Sequence, residues 1–193
     1  MPYRQVPDSI DFLLVRAKLR ALQGKSYDAV AQFKTRLEEK RYGNEAVERY
    51  GYIQALLRDK KAHQANTELN RLYQLLQTDP SASVLSNHVL GKPIRVEYKQ
   101  IIAGAMMETL AADVLVANGK TAEAMNTYQR ALKVYPQHRA LSHGYARTLI
   151  QNKKPQVALE FINNQLQFIQ NDAQLFGLQA QCYELLGDKM LEH

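Results

Sequence analysis

Outside the last three positions, the side chains best suited to chemistry are His63, His88, His138, His143 and Cys182. Zinc catalysis needs two histidines on one helix face, as in His-Glu-x-x-His, or clustered thiolates such as Cys-x-x-Cys, and neither pattern occurs. His138 and His143 stand five residues apart, a spacing that does not bring both to one helical face. Both read as surface or hydrogen-bonded histidines. Cys182 has no second cysteine to pair with, so it supports neither a disulfide nor a metal clip and reads as a small packed residue. Phosphate-cradling loops of the GxxxxGK[ST] or GxGxxG kind are missing, and no serine stands in a GxSxG elbow. The segment is expected to be non-catalytic and to hold no cofactor of its own. Its function must then be binding, and the elements that would present a binding face come next.

The most informative stretch runs from Ala111 to Pro136. Leu110, Val114 and Ala117 follow a helical spacing up to Asn118-Gly119, where a helix should end. A second helix carries Ala124, Tyr128, Ala131 and Leu132 on one face, and Pro136 closes it. Ala112 and Ala124 are small where two helices must approach, and Tyr128 is large where the space to the next pair must be filled.

This pair recurs. A shift of 34 residues carries Ala112 to Ala146, Ala124 to Ala158 and Leu132 to Leu166; a second shift carries Ala146 to Ala180 and Lys153 to Gly187. Upstream, Ala17, Gly24, Ala29, Phe33 and Leu37 repeat the internal spacings of Ala112, Gly119, Ala124, Tyr128 and Leu132. A copy 36 residues later holds Ile53, Ala65, Leu69 and Tyr73. Five copies in phase resemble a tetratricopeptide repeat array. The expected fold class is therefore all-α: an α-solenoid of stacked antiparallel helix pairs, a superhelix of about four and a half repeats with an insertion.

In chain order, Asp8 or Ser9 would cap a helix running to Gln23, with its partner from Tyr27 to Arg41. Tyr42-Gly43-Asn44 makes a turn; Glu45 to Arg58 and Lys61 to Gln77 form the second pair. From Thr78 to Gln100 the period breaks, since Ile53 to Ala112 spans 59 residues, one repeat plus 25. Pro80, Gly91 and Pro93 punctuate this insertion. Ser81 to Leu90 fits a short helix, while Ile94, Val96 and Tyr98 alternate as an extended segment would. The insertion reads either as the seat of a specific function or as a solvated connector. Val96 or Glu97 to Asn118 and Thr121 to Tyr135 form the third pair, and Arg139 to Asn152 and Pro155 to Ile169 the fourth. Asp172 to Leu186 opens a fifth pair whose second helix is missing. The expected division is residues 8–77 for two pairs, 78–100 for the insertion, and 101–190 for the rest. Leu191-Glu192-His193 reads as a remnant of a polyhistidine tag. A final helix without its neighbour would expose apolar surface and favour dimerisation through that end.

The composition, 46% hydrophobic and 23% charged, fits a soluble globular protein. The longest apolar stretch, Ile101 to Ala117, carries Glu108 and Asp113, so a buried helix rather than a transmembrane span is expected. Met1 is followed by Pro2, Tyr3, Arg4 and Gln5 rather than by an apolar core, so no signal peptide is read. A net charge of +6 raises the question of nucleic acid. The densest basic run, Arg58-Asp59-Lys60-Lys61, contains an acid, and no aromatic platform is interleaved with it. Nucleic acid is not expected.

By the repeat phase, the first helix of each pair turns one side toward a concave groove. That side carries Lys18, then Tyr50, Gln54 and Arg58, then Asp113, then His143, Arg147 and Gln151, then Gln181 and Glu184. This polar set of both charge signs suits a protein or extended peptide held by backbone hydrogen bonds and a few charges. Tetratricopeptide domains that clamp a chaperone's C-terminal carboxylate use lysines, asparagines and an arginine there. Lys18 and Arg58 match part of that set, but the asparagines are missing.

Asp8-Ser9-Ile10-Asp11-Phe12 leading into Arg16-Ala17, and the run FKTRLEEKRYGNEAVERYGYIQALL from Phe33 to Leu57, give a closer likeness. They resemble the tail of bacterial zinc metalloendopeptidases of the β-barrel assembly-enhancing type. The resemblance implies a parent protein with a zinc site upstream of this segment and a periplasmic location. The tail would recruit outer-membrane β-barrel proteins or their assembly machinery. The alternative is a freestanding scaffold in the cytoplasm or envelope with no protease attached. An enzyme with its site in the insertion is a third class, which no residue type there supports.

Overall fold

The computed structural model describes residues 19, 20, 22–39, 45–78 and 96–191, with the backbone alone at 96–103 and 188–191. Eight helices are described: α1 (Ser26–Glu39), α2 (Glu45–Arg58), α3 (Ala62–Thr78), α4 (Val96–Ala117), α5 (Thr121–Val134), α6 (Arg139–Gln151), α7 (Pro155–Leu166) and α8 (Ala173–Leu191). No strand occurs among the described residues. The fold is all-α, built from antiparallel pairs of neighbouring helices. Two compact units divide it, Met1–Ala103 and Gly104–His193. In the first, α1 packs on α2 and α2 on α3; in the second, α5 packs on α6, α6 on α7, and α8 on both α7 and α6.

One backbone device makes each pair. The residue after the first helix adopts positive φ: +73° at Gly24, +58° at Lys60, +76° at Gly119 and +57° at Lys153. The next N–H then reaches back five residues to a helix-end carbonyl. Lys25 donates to Arg20 at 2.8 Å, Lys61 to Leu56 at 2.9 Å, Lys120 to Leu115 at 2.9 Å and Lys154 to Leu149 at 3.0 Å. This is the Schellman ending, which satisfies carbonyls that the helix would otherwise leave open. It reverses the chain within three residues, so the second helix must run antiparallel to the first.

Small and large side chains then fix the packing. Ala29, Ala65, Ala124 and Ala158 are all buried five residues beyond the left-handed position. Four residues further on, Phe33, Leu69, Tyr128 and Ile162 are buried as fillers. Ile53, Ala112 and Ala146 are buried on the first helices. Ala180, the next in phase, is exposed, as are Phe176 and Tyr183 on the same helix. The apolar stretch ending at Ala117 is a packed helix, with Ala105, Met106, Met107, Leu110, Ala112 and Val114 buried. No described helix is long and apolar enough to cross a membrane.

One local expectation is corrected. Val96 and Tyr98 do not continue an extended segment, because α4 already begins at Val96. The alternation there is only three residues deep, and the helical pattern that follows it runs on to Ala117, so the longer periodic signal prevails. The rest of the insertion, residues 79–95, lies outside the described residues, as do the turn at 42–44 and the expected cap at Asp8 or Ser9.

The two units hold their helices together differently. In the first, the Arg36 guanidinium of α1 meets the Glu48 carboxylate of α2 through three hydrogen bonds of 2.6 to 3.0 Å. Both side chains are less than a tenth exposed. Arg49 bonds to Glu68 across α2 and α3, with Glu45 and Arg71 extending the chain of charges. Ser26 Oγ donates to Asp59 at 2.8 Å. The second unit adds aromatic rings to its polar bonds: Tyr128, Tyr145 and Phe161 form a continuous series.

Candidate functional site

The side of α6 turned away from its neighbours carries Ala140, His143, Arg147 and Gln151, all exposed except the half-buried His143. Every other residue of that helix after Ala140 is buried. The spacing is helical, and the cause is simple: α5, α7 and α8 pack on α6, leaving one stripe to solvent. One repeat on, α8 exposes Gly177, Gln181 and Glu184. One repeat back, α4 places Asp113 half-buried.

Asp113 is the electrostatic centre of this region. Its Oδ1 accepts a 2.5 Å hydrogen bond from the hydroxyl of Tyr128, whose ring is wholly buried. Burial raises the Asp113 carboxyl above the usual carboxylate range, and the Tyr128 bond and the Arg147 charge only partly oppose it. Burial, reinforced by Asp113, also drives the Tyr128 phenol well above its ordinary value. A carboxyl raised in the folded state favours folding below its unfolded value and loses that contribution as pH rises through the folded one. Arg147 lies nearby, exposed, with no hydrogen-bond or ion-pair partner among the described residues.

His143 is already engaged. Its Nε2 lies 2.9 Å from both oxygens of Asp172, and a carboxylate can only accept, so the imidazole donates. Asp172 also caps α8, accepting from the N–H groups of Gln174 at 3.1 Å and Leu175 at 3.0 Å, and it takes Arg139 at 3.3 Å. Burial works to raise the Asp172 carboxyl, but the Leu175 N–H, His143 and Arg139 more than offset it and hold it below the usual range. His138 caps α6 by accepting from the Leu141 N–H at 3.4 Å, and burial with the neighbouring His143 lowers its imidazole. Cys182 is fully buried and burial raises its thiol, which makes it a packed, inert residue.

A pH dependence follows from Asp172. A depressed carboxyl contributes stability above its unfolded value, near 4, and loses it as pH falls through the folded value. Replacing Asp172 by Asn keeps a capping oxygen but removes the charge that His143 and Arg139 use. We expect a loss of about 1–2 kcal/mol in urea melts at neutral pH, shrinking toward zero in strong acid. A constant difference across pH would contradict this assignment.

Of the other residues expected to face the groove, Tyr50 is 7% exposed and its hydroxyl takes the Gln54 side-chain amide at 3.2 Å. Gln54 is half-buried and Arg58 is exposed. These three lie on α2 in the first unit, whereas Asp113, His143, Arg147, Gln151, Gln181 and Glu184 share the second. Lys18 lies outside the described residues. Among the described residues no group of three His, Cys, Asp or Glu side chains is arranged to hold a metal ion.

Comparison with known proteins places these features. No curated protein matches the chain. A solved structure, the crystal structure of the P58(IPK) TPR domain, aligns with 93% of this chain and 56% of its own length at 12% identity and a TM-score of 0.39. This chain thus spans little more than half of that one. Residues 115–182, from the end of α4 through the first half of α8, match the family model of the tetratricopeptide repeat.

Proposed function

We propose that this segment is a non-catalytic protein-binding module whose second unit grips an extended stretch of a partner along the solvent stripe of α6 and α8. The observation that carries the reading is that the exposed Arg147, with no hydrogen-bond or ion-pair partner among the described residues, lies near the half-buried Asp113 on the same stripe. A carboxyl perturbed by burial beside an exposed cation is expected at a binding site more often than in a purely structural position. Gln151, Gln181 and Glu184 extend the same stripe with amide and carboxylate groups suited to a peptide backbone. Arg58 supplies an exposed cation in the corresponding phase of the first unit.

The test is a pull-down from envelope extract with Arg58 and Arg147 both replaced by Glu, and with Lys153→Glu, an exposed turn residue, as control. We expect partner recovery to fall about tenfold with the first variant and to stay unchanged with the second. Equal recovery from both would remove the stripe from the binding surface.

The finer reading makes this segment the recruiting tail of a periplasmic zinc metalloendopeptidase of the β-barrel assembly-enhancing type. Outer-membrane β-barrel proteins or their assembly machinery would be its partners, and any zinc would belong to the parent protein. Its support is the likeness of the Phe33 to Leu57 run. A His-Glu-x-x-His motif with a third ligand and a signal peptide, in the reading frame upstream, is the expected finding. A native start near Met1 would instead leave a freestanding scaffold.

A further inference from the structure

A second concave site lies in the same unit, on the side of α6 that faces α5 and α7. It is a cavity of about 450 Å³ lined by Gln129, Leu132 and Lys133 of α5, Tyr145 of α6 and Phe161 of α7. Tyr145 and Phe161 meet edge to face, with ring centroids 4.9 Å apart and planes at 90°. Leu132 completes an apolar wall. Such a volume accommodates one aromatic or long aliphatic side chain rather than a helix.

The polar groups of the cavity are an amide, a phenol and an ammonium. Gln129 Nε2 lies 2.6 Å from the Tyr145 hydroxyl. The phenol accepts that bond and keeps its own proton to donate; with the amide turned over, the phenol donates and the amide N–H groups are left. Either way a donor remains at the wall. Lys133 adds an exposed ammonium with no hydrogen-bond or ion-pair partner among the described residues. An apolar wall with a phenol or amide donor and one positive charge beside it complements an apolar group that carries a carboxylate next to it.

We infer that this cavity binds a protein segment that inserts one aromatic or long aliphatic side chain and sets an adjacent carboxylate against Lys133 and Tyr145. This contact is separate from the stripe carrying Arg147, which belongs to the opposite, solvent-facing side of α6. A partner could therefore be held on two faces of one helix layer, and each face can be tested alone.

The experiment is a titration of the full chain, labelled with nitrogen-15, using N-acetyl-phenylalanine as the free acid and, separately, as its amide. The free acid is expected to bind with a dissociation constant on the order of millimolar, as a fragment of this size allows. It should shift the amides of residues 129–133, 145 and 161, and bind at least about threefold tighter than the amide form. Lys133→Glu should erase or reverse that preference, Phe161→Ala should abolish binding of both probes, and Arg147→Glu should change neither. Equal binding of acid and amide, shifts centred on residues 143–151 outside the cavity, or no shifts at about ten millimolar would each overturn the assignment.

Discussion

Replacing Tyr128 by Ala is expected to destabilise the second unit by about 3–5 kcal/mol, the range for deleting a fully buried aromatic ring. The ring is 0% exposed, stands 6.3 Å from the Tyr145 ring, and supplies the hydroxyl that satisfies Asp113. Its removal leaves a cavity and a half-buried carboxylate without that donor. A domain of this size has only about 5–15 kcal/mol in hand, so the loss should be plain in urea melts followed by far-UV circular dichroism. Gly144 probes the same contact from the other side. A Cβ there would lie 2.5 Å from the Tyr128 hydroxyl and 2.6 Å from two ring carbons, so Gly144→Ala should cost about 1–3 kcal/mol by overpacking. In the Tyr128→Ala background the clash vanishes. The same substitution should then be neutral or stabilise by up to about 1 kcal/mol, because alanine is the better helix former. Additive costs would show that the two residues do not press on each other.

The second large effect is expected in the first unit. Truncating Glu48 to Ala removes the carboxylate that takes three hydrogen bonds from the buried Arg36 guanidinium, which should cost about 3–5 kcal/mol. The pair itself need not be a net source of stability, since both ions lose their hydration on folding. Arg36→Leu with Glu48→Leu should therefore recover most of the loss and reach or exceed the parent stability. A double variant as unstable as the single one would mean that Arg36 and Glu48 matter for shape rather than charge. Denaturation curves of the three proteins, read side by side, decide the point.

The helices were legible because packing demands recur at fixed intervals. Alanine at positions 29, 65, 124 and 158 is buried at the same point after each turn. The Glu45 to Arg58 helix agrees at both ends with its sequence reading, and the others differ by a few residues, mostly at their C-termini. Lys60 was not legible. Nothing about lysine announces a left-handed turn, and only the recurrence of the turn places it with Gly24 and Gly119.

The candidate site was legible in direction but not in partnership. Phase turns Asp113 and His143 toward the first-helix stripe, yet Asp113 bonds to Tyr128, 15 residues away, and His143 to Asp172, 29 residues away. Such bonds depend on side-chain reach between helices, which periodicity does not encode. Tyr50 is buried for a related reason: a long side chain can fold back from a polar stripe and cover its own helix. The cavity beside Lys133 was missed because its walls come from three helices, and alone its apolar residues look like ordinary core and its polar ones like ordinary surface. The one signal available was a pair of bulky aromatics 16 residues apart, Tyr145 buried and Phe161 half-buried.

The central claim is that partners are held on the stripe of α6 and α8. The most direct measurement places a photo-crosslinking amino acid at Gln181, within the stripe, or at Lys153, in the turn after α6, and irradiates each protein in envelope extract. The account expects a discrete adduct from position 181, little from position 153, and loss of the adduct when Arg147 is replaced by Glu. Equal adducts from both positions, or an adduct at 181 that survives Arg147→Glu, would contradict it.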